Sequence, residues 1–253
     1  MHLKEKLKQG EFTLGSWITL GHPAVAEIMA KAGFDWLCVD LEHSVITIRE
    51  AEELIRVIDL SGVTPLVRLS SNDAVQIKRV MDAGARGIIV PMVNSVEDVE
   101  RAYKAMHYPT QGSRGVGLAR AQAYGNDFEG YKQRLAEESI LIPQIEHIDA
   151  VNNLEAILAH KGVDGFIVGP YDLSGSLGVP GNFEHDGMLE AMDRIKETVS
   201  GSDKPGGVHI IEPEESEITR LQKEGYRFVA YSLDIRILDA VSRKGVNKAK
   251  ENL

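Results

Sequence analysis

The stretch WLCVDLEHS, Trp36–Ser44, sets Asp40, Glu42 and His43 directly after an apolar run, where a packed strand should simply stop. Similar endings recur along the chain. TPLVRLS carries Arg68, ILIPQIEH ends on Gln144, Glu146 and His147, and DGFIVGPYD ends on Asp172. Glu146 and Asp172 close consecutive apolar runs, so a sheet that places those runs side by side brings two carboxylates together. Unpaired like charges at such a site are costly, and a divalent cation removes the conflict. Two carboxylates, with water and substrate oxygens filling the remaining positions, suit Mg²⁺ or Mn²⁺, whereas a closed zinc site would use His or Cys. His147 is expected on the opposite face of its strand. The plain alternative is that each acid caps the following helix, and the joint pattern weighs against it.

Arg68 stands where a packed strand would normally carry an apolar residue, and a buried guanidinium needs an anion. A salt bridge to Glu42 or Glu146 would satisfy it, and so would a substrate carboxylate or oxo oxygen held beside the cation. The imidazole of His43 makes it a candidate general base, although a lone strand-end histidine is more often a hydrogen-bonded structural residue. Other chemistries lack their residues. A Schiff-base aldolase needs a lysine projecting from a strand, and none of the expected strands contains one. GSRGVGLAR has two glycines in G-x-G form, but Arg120 replaces the third and no strand leads into it, so it is no dinucleotide fingerprint. P-loop, G-x-S-x-G and H-E-x-x-H motifs are missing, which leaves polarisation of a small oxo acid by a metal.

The elements that must position these residues follow from periodicity. Strands are expected at LGSWIT, WLCVDLEH, TPLVRLS, GIIVPMV, ILIPQIEH, DGFIVGPYD, GGVHII and RFVAYSLD, with amphipathic helices between them and a last helix from Ile235 onward. Strand two is expected to end in Glu42 and His43, and strand six in Asp172. Strands that are apolar throughout fit a parallel sheet covered on both faces. Eight β/α units in 253 residues favour closure into a single (β/α)₈ TIM barrel over a doubly wound open sheet. One domain, 1–253, is expected. In such a barrel the chemistry lies at the carboxyl ends of the strands. The long polar connection Pro109–Gly130 is a candidate active-site loop.

Composition excludes several partners. A formal net charge of −10 argues against a nucleic-acid or anionic-membrane surface, and no apolar stretch is long enough to span a bilayer. Neither a signal peptide nor an internal disulfide is expected, since the start is charged and Cys38 is the only cysteine, so the expected location is the cytoplasm.

The segments GFDWLCVDLEHS, VRLSSNDAVQIKRVMDAGARGIIVPMV, YPTQGSRGVG, PQIEH and VDGFIVGPYDLSGSLG resemble the HpcH/HpaI family of metal-dependent 2-oxo acid aldolases, over about Leu14–Asp234. The resemblance implies a (β/α)₈ barrel in which pyruvate chelates Mg²⁺, Mn²⁺ or Co²⁺, with Glu146 and Asp172 as metal ligands. It further implies Arg68 stabilising the pyruvate enolate, Gln144 near the metal and substrate, and backbone amides around Gly169, Pro170 and Asp172 holding the pyruvate carboxylate. His43 would take the proton from the 4-hydroxyl. In the family that histidine pairs with an aspartate of a neighbouring subunit, here Asp82 in RVMDAG, and the family precedent is a homohexamer built as a dimer of trimers. The implied substrates are a 2-oxo acid of the pyruvate or oxaloacetate type and an aldehyde. The segments RGVGLARAQAYG and VAYSLD depart from the hydroxy-heptanedioate enzymes and leave the aldehyde open. The scaffold is also similar to a siderophore-pathway citrate synthase and a fungal carboxylyase acting on oxaloacetate, so a carbon–carbon-forming transferase is the second reading. A non-catalytic oxo-acid-binding barrel is the third.

Overall fold

A computed structural model describes residues 1–251. Its strands are β1 Thr13–Ile18, β2 Trp36–Asp40, β3 Thr64–Arg68, β4 Gly87–Val90, β5 Ile140–Ile145, β6 Phe166–Val168, β7 Gly206–Ile210 and β8 Phe228–Leu233. They are parallel and close in chain order, β8 pairing with β1, so the barrel expected from the strand pattern is the fold. The helices are α1 Leu3–Lys8, α2 Pro23–Lys31, α3 Ile48–Leu60, α4 Ala74–Ala83, α5 Val96–Met106, α6 Phe128–Glu138, α7 Ile148–Asn152, α8 Leu154–Ala159, α9 Pro170–Ser176, α10 Asp186–Gly201, α11 Glu215–Lys223 and α12 Asp234–Lys250.

Local signals set the boundaries. Thr47 with Glu50, and Ser95 with Asp98, form reciprocal capping boxes that start α3 and α5, and Asp73 caps α4. Gly84, at φ 104°, ends α4 in the left-handed conformation that a β-carbon disfavours. Inside the barrel, Trp36 stacks on Phe228 at 4.2 Å between centroids, and a β-carbon at Gly15 would lie 2.0 Å from the Trp36 ring, so glycine is what admits the indole. Leu3 and Leu7 of α1 join this inner cluster and close the amino-terminal end of the barrel. A larger apolar layer lies between the strands and α2–α10, whereas α12 buries only Asp234.

Three expectations need correction. β2 stops at Asp40, so Glu42 and His43 lie on the loop beyond it; β6 stops at Val168, so Asp172 stands in the first turn of α9. The connection Pro109–Gly130 follows α5 and leads through a 3₁₀ turn and α6 into the start of β5. That places it at the amino-terminal end of the barrel, away from its own mouth.

Candidate active site

The register of β2 and β3 sets Asp40 opposite Arg68, the last residue of each strand. Arg68 Nε donates to Asp40 Oδ1 at 2.8 Å and Nη2 to Oδ2 at 2.6 Å, a two-pronged bond that fixes the guanidinium plane. Trp17 of β1 lies against that plane, 4.5 Å from its ring centroid to Arg68 Cζ. The anion that Arg68 requires is therefore chiefly Asp40, with Glu42 Oε2 3.3 Å from Nε and Glu146 not in contact. Burial alone would raise the Asp40 carboxyl, but the bond to and charge of Arg68 outweigh it and hold it below its ordinary value. Arg68 Nη1 makes no hydrogen bond within the described residues, so its N–H groups remain for a substrate oxygen.

Asp40 also shapes the loop that follows. Its Oδ1 accepts from the amides of Glu42 at 3.0 Å and His43 at 3.3 Å, which turns the chain over the strand end. The His43 side chain is exposed, its Nε2 3.8 Å from Glu42 Oε2. Glu42 Oε2 is sealed from solvent without a hydrogen-bond partner. Burial first, then repulsion from Asp40 and Asp172, raises the Glu42 carboxyl to about 7 against the pull of Arg68.

Glu146, one residue past β5 and 2 % exposed, accepts from the Met92 amide at 2.6 Å and from the Gln144 side chain. Met92, which donates this amide, adopts the left-handed φ of 51°. Burial again dominates. The two donors lower the Glu146 carboxyl, Glu42 and Asp172 raise it, and the result is about 7. Gly169 makes room for the group, because a β-carbon there would lie 2.8 Å from Glu146 Oε2. Neither acid caps a helix: His147 caps α7 through its ring, and α9 has no side-chain cap. His147 lies past the end of β5 rather than on a strand face, and its ring is used as the α7 cap. Gln144 keeps a buried, unpartnered Oε1 beside Glu146.

Glu42 and Asp172 therefore lie close enough to raise the Glu146 carboxyl, Asp172 also raises that of Glu42, and two buried oxygens, on Glu42 and Gln144, lack donors. No three His, Cys, Asp or Glu groups among the described residues enclose a coordination sphere. The donor set is hard, anionic and open on one side, which fits a divalent cation held by Glu146 and Asp172 with water or substrate oxygens completing it.

Two expectations fare differently. The Gly169 amide donates to Ile145 O at 3.0 Å and Pro170 has no N–H, so only the Tyr171 and Asp172 amides of that stretch are open to a carboxylate. Asp82 lies near the carboxyl end of α4, at the opposite end of the barrel, bound to the buried Arg114, which also reaches Tyr131 Oη at 2.8 Å and Met106 O at 3.2 Å. It does not meet His43 within the chain. The sequence reading left Asp40, Trp17, Met92 and His209 without a role. Only Asp40 had a usable signal in the sequence, an acid placed directly after the apolar run WLCV; its pairing with Arg68 came from register.

The model of the HpcH/HpaI aldolase/citrate lyase family matches residues 13–239. A pyruvate aldolase from Rhizobium etli is 37% identical over 94% of this chain and 92% of its own length. A hydroxypyruvate/pyruvate aldolase from Roseobacter denitrificans is 35% identical over 93% and 91%. The crystal structure of an HpcH/HpaI aldolase from Desulfitobacterium hafniense superimposes with a TM-score of 0.88 at 32% identity, covering 99% of this chain and 97% of that one.

Proposed function

The chain belongs to the HpcH/HpaI aldolase/citrate lyase family and is a carbon–carbon lyase, and on that premise we propose that it is a divalent-metal-dependent aldolase that cleaves a 4-hydroxy-2-oxo acid to pyruvate and an aldehyde, and runs the same addition in reverse. The observation that carries this reading is the convergence of Glu42, Glu146 and Asp172 beside a guanidinium whose plane is already fixed by Asp40.

A divalent cation held by Glu146 and Asp172 would polarise the 2-oxo group of the substrate. Gln144 and the Met92 amide keep the Glu146 carboxylate oriented. His43, on the exposed loop, takes the proton from the 4-hydroxyl; C4–O becomes a carbonyl, the C3–C4 bond breaks, and its electron pair passes to C3 and the 2-oxygen as an enolate. Arg68 Nη1 donates to that developing oxyanion, and Asp40 and Trp17 hold it in place without rearrangement. Protonation at C3 then yields pyruvate. The amides of Tyr171 and Asp172, at the start of α9, receive the carboxylate.

We also read the active form as a homo-oligomer in which Asp82 supports His43 of a neighbouring copy, since its own mouth lies at the other end of the barrel. The exposed Val116 and Leu118, soon after Arg114 in the chain, and Ile235, Leu238 and Val241 on α12, support association. No described helix is long and apolar enough to cross a membrane.

The decisive experiment is stripping with EDTA followed by metal return, with pyruvate release from 4-hydroxy-2-oxo acids as the readout. Activity should vanish and return with Mg²⁺, Mn²⁺ or Co²⁺. Full activity in metal-free protein would overturn the reading, and product formation only from oxaloacetate and acetyl-CoA would replace the lyase with a transferase.

A further inference from the structure

The aldol scheme leaves the titratable His209, which lies against the inward-facing Trp17, unused. His209 lies one residue before the end of β7, in register with Ala230 of β8, and its ring is tilted 54° to Trp17 at 5.5 Å between centroids. Trp17 in turn lies on Arg68, so imidazole, indole and guanidinium form one continuous wall. His209 Nε2 is 3.0 Å from the Ser232 carbonyl oxygen. A carbonyl oxygen only accepts, so Nε2 carries the proton, and in the neutral ring Nδ1 carries the lone pair. The ring is neutral at pH 7: burial pushes its pKa down, the Ser232 bond pulls the other way, Arg68 adds to the depression, and the value falls to about 4.

The tautomer is set by the fold. Ser232 adopts φ 51°, its carbonyl also accepts from Ser16 Oγ at 3.2 Å, and its own hydroxyl donates to Ile211 O at 2.8 Å, so the oxygen that orients the imidazole is itself clamped. His209 Nδ1 has no partner among the described residues, yet it is not one of the polar atoms sealed from solvent, and the ring is only half-buried. It is an acceptor with an open face in a wall that is otherwise donor and aromatic.

We propose that His209 is a specificity-determining residue whose Nδ1 accepts a hydrogen bond from a substrate hydroxyl adjacent to the reacting carbonyl, so that the site prefers hydroxylated reactants to their deoxy analogues. The proposal rests on the aldolase reading above. The hydroxyl can belong to the oxo acid or to the aldehyde, and the two are separable by experiment. A site that presents an acceptor discriminates against a substrate lacking the donor, because the acceptor is then desolvated without compensation.

The test uses metal-loaded wild-type protein and His209→Phe, which keeps a ring against Trp17 but removes both nitrogens. Two ratios of kcat/KM are measured: hydroxypyruvate against pyruvate with one common aldehyde, and glycolaldehyde against acetaldehyde with pyruvate. One ratio should fall about tenfold in the variant, and which one falls identifies the reactant that carries the hydroxyl. Both ratios within about twofold of wild type would overturn the proposal. A binding measurement on the wild type separates this outcome from failure of the aldolase reading and does not depend on the variant folding. With ¹⁵N-labelled histidine, the His209 Nδ1 resonance should move on adding hydroxypyruvate or glycolaldehyde and not on adding pyruvate or acetaldehyde. An equal response within each pair overturns the role of His209 whatever the turnover; a selective response without aldol turnover overturns the aldolase reading alone.

Discussion

At the scale of single residues, Asp40 decides whether Arg68 is a tool or a liability. Asp40→Asn leaves the guanidinium buried with Glu42 as its remaining anionic partner, which should cost about 3 kcal/mol in chemical denaturation. It should also lower both aldol cleavage and oxaloacetate decarboxylation by about 100-fold, since both pass through an enolate. His43→Ala divides the two reactions: cleavage needs a proton taken from the 4-hydroxyl and decarboxylation does not, so cleavage should lose far more. Equal losses in a side-by-side assay would remove His43 from that role. The carboxylates add a pH dependence whose sign follows from their raised values. Glu42 and Glu146 move from 4.5 to about 7 on folding without metal, so the stability they contribute is full below about pH 4.5 and is lost as pH rises through about 7. Metal-free protein should therefore melt lower at about pH 8 than at about pH 5.5 by more than Glu146→Gln does, and added Mg²⁺ should raise Tm more at the higher pH, where it no longer competes with protons. A metal-induced shift in Tm that is independent of pH would count against these ligands.

At the scale of elements, the site is a matter of where strands stop. Gly169 follows β6 and faces Glu146 so closely that Gly169→Ala must displace the carboxylate, to which a β-carbon would approach within 2.8 Å. Calorimetric titration should show metal affinity reduced about tenfold, with a stability loss of about 1–3 kcal/mol from overpacking. Gly117→Ala, where nothing lies within 4 Å of the new atom, serves as the control. Retained affinity in Gly169→Ala would mean that Glu146 does not hold the cation. The strands themselves were legible from their apolar runs, but their carboxyl ends were not. A strand followed by Glu, His or Asp reads the same whether the polar residues continue the ladder or leave it, and the difference is made by hydrogen bonds such as those from the Glu42 and His43 amides to Asp40.

At the scale of the whole molecule, the barrel is closed but not fully clothed. α12 runs for 17 residues and buries only its first, while Arg236 anchors it to Glu212 at 2.6 Å. Light scattering should report an oligomer, and a fully active monomer would end the shared-site reading. Asp82→Asn should reduce aldol cleavage about tenfold through the neighbour's imidazole while metal binding persists. Because Asp82 also holds Arg114 within its own chain, the informative measurement is subunit exchange. Mixing Asp82→Asn with His43→Ala protein should restore activity in hybrids that pair an intact His43 with an intact Asp82, and verified hybrids without recovery would exclude the arrangement.

The order of eight apolar runs, each closed by a glycine, proline or polar turn, was enough to determine the barrel, because a parallel sheet covered on both faces requires just that alternation. The same pattern placed Arg68, Gln144, Glu146 and Asp172 at one end, since all carboxyl ends of parallel strands share a face. Pairing across strands was decided only by register and side-chain direction. Asp40 rather than Glu146 holds Arg68 because the two strand ends align residue for residue. His209 became an acceptor only because a clamped Ser232 carbonyl, 23 positions away in sequence, takes its proton-bearing nitrogen. Asp82, which reads as a surface acid, was claimed by Arg114 from a segment 32 residues on. Periodicity records which face a residue occupies; which partner it meets there depends on twist, shear and loop path, and those are set by the packing of the whole barrel.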